Sequence, residues 1–148
     1  MNEILSLKGR DEAAELSLGV SWDDLYIPEE LRQKLVKYNY KCPTDIQVQC
    51  IRNYTKGNDI LGSAPTGSGK TLAFVLPILM DIMKEKQAEK KEEDEATDLV
   101  ERKKKWRIST LISAPTRELC IQISNVIQQF IIGTDIKYRS ILYMEYEY

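Results

Sequence analysis

The chain has 148 residues, of which 43% are hydrophobic and 30% charged, and its formal net charge is −2. These values indicate a globular chain of about one domain, in which any contact with nucleic acid must come from a local patch. Three cysteines without a C-x-x-C pair and the absence of histidine argue against a zinc site, a secreted disulfide framework and any imidazole base. The sequence also lacks an apolar run of membrane-spanning length and a signal-peptide pattern, which favours a reducing, aqueous compartment.

The first predicted helix follows a leader. Residues 1–20 are of mixed character and are predicted to be flexible. From Pro28 the pattern becomes helical, because acidic residues follow the proline and Leu31, Leu35 and Tyr38 recur on one face.

A second helix and a strand come next. Pro43 ends the first helix, and Thr44 is predicted to cap the second. A turn at residues 56–59 then leads into a short apolar strand that contains Ile60 and Leu61.

The stretch after this strand has the pattern A-x-x-G-x-G-K-T and consists of Ala64, Pro65, Thr66, Gly67, Ser68, Gly69, Lys70 and Thr71. Glycines at 67 and 69 allow the backbone to approach phosphate oxygens, and the helix that follows directs its N–H groups at the same anion. Lys70 can reach the β- and γ-phosphates, and the Thr71 hydroxyl can bind Mg²⁺. The pattern therefore predicts a nucleoside triphosphate site; the alternative is a glycine-rich turn that only connects a strand to a helix.

The helix after this loop contains two unusual features. Pro77 is expected to kink or shorten it, because an interior proline removes a hydrogen bond and clashes with the preceding turn. Residues 84–107 are mostly charged and are predicted to extend the helix into a solvated, partly disordered insertion.

The remaining elements alternate in type. Ile108–Ala114 is predicted to be a buried strand, Arg117–Ile132 an amphipathic helix that ends at Gly133, and Ile136–Tyr143 another strand. This order of strands and helices indicates an α/β fold with a parallel sheet flanked by helices.

Three segments together resemble the conserved motifs of DEAD-box RNA helicases. Asn39–Gln47 is similar to the Q motif of that family, Ala64–Thr71 to motif I, and Pro115–Leu119 with the following Gln122 to motif Ia. They occur in the family's order and approximate spacing, and the likeness covers about Ser21 to Tyr143. The resemblance implies a P-loop, RecA-like first helicase domain with ATP and Mg²⁺ as cofactors.

The resemblance also implies which residues select the base. A glutamine amide has an acceptor and two donors, so Gln47 can pair with N6 and N7 of adenine, and Tyr40 offers a flat face for stacking. The alternatives are an exposed helix residue at 47 and a core aromatic at 40. Trp22, where the family usually carries a phenylalanine, is interpreted as packing over the Q motif.

The RNA contacts implied by the resemblance are Pro115, Thr116 and Arg117. At a helix start, hydroxyl, guanidinium and N–H groups can hold a phosphodiester without reading bases. The alternative is a helix cap with Arg117 in a surface ion pair. Glu118 is interpreted as a stabiliser of the helix start, not as a catalytic base.

Three other segments could be given functional roles, but each has a simpler structural interpretation. Asp94–Asp98 reads D-E-A-T-D, but it lies in a charged run and precedes motif Ia, so it is interpreted as solvated and not as the metal-binding motif. Lys103–Lys105 and the tyrosines at 143, 146 and 148 could contact RNA; a solvated face and a strand end are the preferred interpretations.

The sequence thus predicts an incomplete first RecA-like domain, residues 21–148, of an ATP-dependent RNA helicase. Because no metal-binding carboxylate strand and no second domain are recognised, the chain alone is expected to bind nucleotide without efficient hydrolysis. A non-catalytic nucleotide- or RNA-binding module and a small P-loop kinase are the alternatives. Residues 72–79 and 133–142 resemble the branch acting on small-subunit ribosomal RNA, which implies ribosome-assembly partners, no membrane contact and a nuclear or nucleolar, otherwise cytoplasmic, location.

Overall fold

The computed structural model describes residues 5–7, 19–95 and 108–141, with side chains for 19–91 and 108–141. In chain order the elements are β1 (Leu5–Leu7), a 3₁₀ helix (Trp22–Leu25), α1 (Glu29–Lys37), α2 (Asp45–Tyr54), β2 (Ile60–Gly62), α3 (Lys70–Glu95) and α4 (Arg117–Ile131). The predicted helices are all confirmed. The predicted leader and insertion boundaries stay predictions, because much of residues 1–20 and 96–107 lies outside the described part.

Helix α1 ends in a left-handed turn. Asn39 has a φ of 62°, its N–H donates to the Val36 carbonyl at 3.0 Å, and the Tyr40 N–H donates to the Leu35 carbonyl at 2.8 Å. This pair of bonds satisfies carbonyls that the helix end leaves open, and asparagine tolerates the left-handed conformation. The turn fixes where Tyr40 and the residues after it leave the helix.

Helix α3 is the longest of the described elements, with 26 residues, and it passes through Pro77 without a break. The expected shortening at Pro77 is therefore wrong, and a kink at Pro77, the other expectation, stays a prediction. Pro77 is fully buried, and its neighbours Val75, Leu76 and Leu79 are each at most 2% exposed. Burying such side chains stabilises the fold by about 1.5–3 kcal/mol each, which together offset the roughly 3 kcal/mol cost of an interior proline.

One core joins the 3₁₀ helix and the four α-helices. Phe130 of α4 has no exposed surface, and the rings of Tyr38 and Tyr40 lie 6.2 and 6.1 Å from it, centroid to centroid. The other buried members include Trp22, Leu25, Ile27, Leu31, Leu35, Val48, Ile51, Leu72, Val75, Leu76, Leu79, Met80, Met83, Ile123 and Ile127.

The described residues contain fewer paired strands than the sequence predicts. Within the described residues, β1 and β2 pair in parallel, with Leu5 opposite Ile60 and Leu7 opposite Gly62. Ile108–Ala114 is not a buried strand: it pairs with no strand of the described residues, and Ile108 and Leu111 are 86% and 88% exposed. A strand forms only where a neighbour takes up its N–H and C=O groups, and the described part supplies none beside this segment.

The predicted strand at Ile136–Tyr143 is likewise unpaired over residues 136–141, and 142–143 lie outside the described part. Both segments nevertheless pack on the helices through alternate side chains: Ile112 and Ala114 from the first, and Ile136 and Tyr138 from the second. Their apolar pattern therefore identifies packing faces correctly, although the described part of the chain provides no partner strands.

Three lysines hold the loop after α4. Lys34 of α1 donates to the Ile132 carbonyl, Lys86 of α3 donates to the Asp135 carbonyl, and Lys90 lies 3.3 Å from the Asp135 carboxylate. Gly133 between them has a φ of 79°, as a helix terminator requires. Among the described helices, none is both long and apolar enough to cross a bilayer.

The hydroxyl of Tyr54 in α2 donates to the Asp81 carboxylate of α3 at 2.7 Å. Burial, followed by this bond, raises the pKa of Tyr54 to about 12. We expect Tyr54→Phe to lower the free energy of unfolding by about 1 kcal/mol at neutral pH. Because the folded pKa is raised, the contribution is complete below pH 10 and is lost between pH 10 and about 12, where unfolding favours the phenolate.

Urea unfolding of both proteins at pH 8 and at rising pH above 9.5 measures this difference. Tyr38→Phe is the matched control, because it keeps the ring against Phe130 and removes a hydroxyl for which the described residues provide no hydrogen bond. A gap between wild type and Tyr54→Phe that stays constant through this pH range would contradict the assignment.

Candidate nucleotide site

The glycine-rich loop lies between β2 and the start of α3, as predicted. Gly67 and Gly69 have φ values of 83° and 86°, in the left-handed region that favours glycine. A Cβ on Gly67 would meet no atom within 4 Å, so the loop is open there to an approaching group. A Cβ on Gly69 would lie 2.4 Å from Nε2 of Gln47, so this glycine is required by a close neighbour.

Gln47 is that neighbour, and it is only 3% exposed. Its Nε2 donates to the Gly69 carbonyl at 3.1 Å, and its Oε1 accepts from the Thr44 N–H at 2.9 Å. The alternative of an exposed helix residue is therefore wrong. A glutamine amide has two N–H groups and two oxygen lone pairs, so one donor and one acceptor remain for a further partner.

Thr44 provides a second bond to the loop. It caps α2 as predicted, and its Oγ1 also donates to the Ser68 carbonyl at 2.8 Å. The sequence interpretation missed this bond. The spacing Thr-x-x-Gln, which predicts a capping box, was the available signal, but nothing in it indicates that the loop more than twenty residues later is the partner.

Lys70 is the first residue of α3, and its Nζ donates to the carbonyls of Ala64 and Pro65 at 2.6 and 2.7 Å. The ammonium therefore lies against the loop, and an ammonium has three donors, of which two are used here. The Ser68 hydroxyl is buried and has no hydrogen-bond partner within the described residues. A buried hydroxyl without a partner is costly, and an anion held by the loop would supply an acceptor.

A small apolar cluster supports the loop from below. Ile46 and Cys50 of α2 pack with Ala73 of α3, and Ile60 and Ala64 lie against them. Burial raises the pKa of the Cys50 thiol, which therefore stays neutral and behaves as an apolar group. The loop thus rests on packed side chains and is clamped from one side by Thr44 and Gln47.

Thr71 follows Lys70 in the first turn of α3 and is partly buried. Its hydroxyl could be one ligand of Mg²⁺. Proteins commonly bind Mg²⁺ through one or two side chains, and substrate phosphates supply further ligands. No group of three or more acidic, cysteine or histidine side chains that could hold a metal occurs in the described residues. Any Mg²⁺ at Thr71 would therefore depend on the phosphates.

Tyr40 and Trp22 lie on the core side of the predicted Q motif. The Trp22 Nε1–H donates to the Tyr40 carbonyl at 2.8 Å, and Trp22 is 7% exposed, which fits the packing interpretation. Tyr40 is half-buried, with its ring against Phe130. It makes the contacts of a core aromatic, and stacking of its other face on a base stays a prediction.

Pro115, Thr116 and Arg117 lie at the start of α4, exposed to solvent. Thr116 is the N-cap, and its side chain accepts from the Leu119 N–H at 3.2 Å. Asp94 and Glu95 are the last residues of α3, and 96–98 lie outside the described part, so the acidic run does not follow a strand there.

A strand, a glycine-rich loop closed by lysine and threonine, and a helix that begins at this lysine define a P-loop element. The family model for DEAD/DEAH box helicases matches residues 44–147, and the chain belongs to that family. The predicted recognition and the RecA-like fold class are thereby confirmed, while the wider parallel sheet is not.

The similar proteins with printed names are also RNA helicases. The chain is 40% identical over 127 residues to the ATP-dependent RNA helicase mak5 of Neosartorya fischeri and 38% identical over 128 residues to the ATP-dependent RNA helicase dbp4 of Aspergillus fumigatus. These alignments cover 82% and 86% of this chain but only 15% and 14% of the relatives. A crystal structure of the RNA helicase Prp28 from Chaetomium thermophilum bound to ADP matches 76% of this chain and 24% of its own, with a TM-score of 0.60 and 33% identity.

The two loop glycines make a matched pair of tests. Gly67→Ala is expected to cost about 1–2 kcal/mol, since only left-handed strain is added. Gly69→Ala should cost about 1–3 kcal/mol more, because its Cβ displaces the Gln47 amide and breaks buried hydrogen bonds. Urea unfolding measures both.

A double-mutant cycle isolates the contact. In a Gln47→Ala background the extra cost of Gly69→Ala should disappear, whereas that of Gly67→Ala should not change. Equal penalties at the two glycines, or no coupling between Gly69 and Gln47, would show that the amide does not hold the loop.

Proposed function

We propose that this chain is the ATP-binding part of an ATP-dependent RNA helicase, which couples ATP binding and hydrolysis to RNA unwinding or remodelling. The observation that carries the proposal is the Gln47 amide, which is bonded to the Gly69 carbonyl of the phosphate loop. It puts the predicted base-selecting group beside the predicted phosphate site. Family membership, the printed names of the relatives and the ADP bound to Prp28 support it.

ATP would be held by groups of the loop and its neighbours, with Lys70 exchanging the Ala64 and Pro65 carbonyls for phosphate oxygens. The backbone of Ala64–Gly69 and the start of α3 direct N–H groups at the phosphates, and Lys70 and Thr71 provide the ammonium and the Mg²⁺ ligand. The remaining N–H and lone pair of Gln47 pair with adenine, and Tyr40 stacks on the base. Bound Mg²⁺ supplies charge neutralisation between the phosphates.

The RNA would be held at Pro115, Thr116 and Arg117. Their exposure at the start of a 15-residue helix suits contact with the sugar–phosphate backbone, which carries no sequence information. Single-stranded or structured RNA is thus the proposed partner.

Three finer proposals rest on the sequence resemblance. The fold contains a larger parallel sheet flanked by the helices, ribosome-assembly proteins are partners, and the location is nucleolar.

Nucleotide selectivity tests the proposal. We expect the chain to prefer ATP to GTP, and Gln47→Ala to weaken ATP binding about tenfold and remove the preference, because the amide contact to adenine is lost. Lys70→Ala should weaken both nucleotides. Isothermal titration measures these affinities, with Gln128→Ala on an exposed face of α4 as the matched glutamine control. Unchanged selectivity in Gln47→Ala would count against the assignment.

Hydrolysis by the 148-residue chain should be close to background, with or without RNA. Phosphoryl transfer also needs a metal-binding carboxylate, a water-positioning group and an arginine finger, and the finger alone is worth roughly 10³–10⁵ in rate. The described residues provide Lys70 and Thr71 but no carboxylate cluster for the metal. A steady-state phosphate-release assay that found robust, RNA-stimulated turnover would overturn this expectation.

A further inference from the structure

Trp22 belongs to a short helix that is fixed at its start and tied to α1. The Ser21 hydroxyl accepts from the Asp23 N–H at 3.2 Å, and the Asp24 carboxylate accepts from the Ser21 N–H at 2.7 Å. The Asp23 carboxylate also pairs with Arg32 of α1. These contacts hold the backbone around Trp22, and Trp22 itself lies in the core, where it is 7% exposed. The packed core therefore gives the indole N–H a defined direction.

Tyr40, the acceptor of that N–H, is held at three points. Its own N–H donates to the Leu35 carbonyl at 2.8 Å, and its carbonyl accepts from the Trp22 Nε1–H at 2.8 Å. Its ring lies 6.1 Å from that of Phe130, centroid to centroid. Tyr40 lies in the connection between α1 and α2, outside the regular hydrogen bonding of either helix, so its carbonyl depends on a donor from a side chain. Trp22 provides that donor.

The bond needs the indole nitrogen. A phenylalanine at position 22 could fill the same part of the core, but it has no hydrogen-bond donor. DEAD-box helicases usually carry phenylalanine at this position, so members with that residue cannot form the bond. The tryptophan of this chain therefore adds a hydrogen bond to the packing that an aromatic ring alone provides.

We infer that Trp22 is a positioning residue of the adenine site, and that its indole N–H fixes Tyr40 before the base binds. This inference rests on the base-recognition part of the proposed function, in which Tyr40 stacks on adenine. A tyrosine whose backbone is already fixed loses less conformational freedom when the base arrives, and binding is tighter because that cost is smaller.

Trp22 is expected to act on the base half of ATP and not on the phosphate half. The phosphate loop has its own supports, since Thr44 and Gln47 donate to the carbonyls of Ser68 and Gly69. These bonds come from the start of α2, whereas Trp22 bonds to the chain before that helix. Inorganic tripolyphosphate, which has the phosphates of ATP without the base, separates the two halves.

The test is isothermal titration of the full 148-residue chain with ATP and with inorganic tripolyphosphate, both in the presence of Mg²⁺. Trp22→Phe is expected to weaken ATP binding about threefold to tenfold, because the order lost at Tyr40 must be restored on binding. Its affinity for tripolyphosphate should stay within about twofold of wild type. Tyr54→Phe is the matched control: it also removes one hydrogen bond of a partly buried side chain, to Asp81, and should leave both affinities within about twofold of wild type.

Equal loss of ATP and tripolyphosphate binding in Trp22→Phe, or loss of neither, overturns the inference. The proposed function is judged separately, by the preference of the wild type for ATP over GTP and the loss of that preference in Gln47→Ala. If the preference holds while Trp22→Phe binds ATP normally, the proposed function stands and only the role of Trp22 is overturned. If the wild type binds ATP and GTP equally, the base-recognition part fails and the inference fails with it.

If Trp22→Phe does not fold, as circular dichroism would show, the wild type carries the test. The chain has two tryptophans, so its two indole N–H signals in a ¹H–¹⁵N NMR spectrum can be assigned with Trp106→Phe. ATP is expected to shift the Trp22 signal, because the base stacks on the residue that accepts this hydrogen bond, and tripolyphosphate is expected to leave it in place. Equal shifts with the two ligands, or no shift with ATP, overturn the inference.

Discussion

The hydrogen bond from the Gln47 amide to the Gly69 carbonyl determines how the rest of the site is arranged. It joins the first turn of α2 to Gly69, the residue directly before α3. The Gly69 carbonyl also accepts from the Ala73 N–H at 3.2 Å, which is the first bond of α3, so one oxygen fastens the helix and the clamp together. The Gln47 amide occupies the space that a side chain at position 69 would fill. The packing of the loop against α2 therefore requires a glycine at 69, independently of phosphate binding.

The same amide joins the loop to the start of α2. Its Oε1 accepts from the Thr44 N–H and its Nε2 donates to the Gly69 carbonyl, which leaves one N–H and one lone pair for a further partner. If that partner is the adenine of the proposed function, the group that selects the base also holds the loop. Thr44 reinforces the link through the Ser68 carbonyl, and the apolar cluster beneath the loop limits how far it can yield.

The helices and the loop could be predicted from the sequence because their signals are local. Apolar spacing, Pro28, Thr44 and Gly133 specify helix faces and ends within a few residues. The strands could not be predicted in the same way, because a strand depends on partners elsewhere in the chain, and 108–114 and 136–141 have none among the described residues. The Gln47 contact was missed for the same reason: its residue type was informative, but its partner lies 22 positions away. Pro77 shows the converse: the helix does not end there, although an interior proline disfavours a helix, because the residues around it are buried.

Helix α3 connects two distant parts of the molecule. It begins at Lys70 in the phosphate loop, and Lys86 and Lys90 hold the turn at Asp135 that leads into residues 136–141. At 1.5 Å per residue, Lys86 lies about 24 Å along the axis from Lys70. Because α3 is helical through Pro77, the glycine-rich loop at one end of the molecule and the turn at Asp135 at the other are joined by a single element.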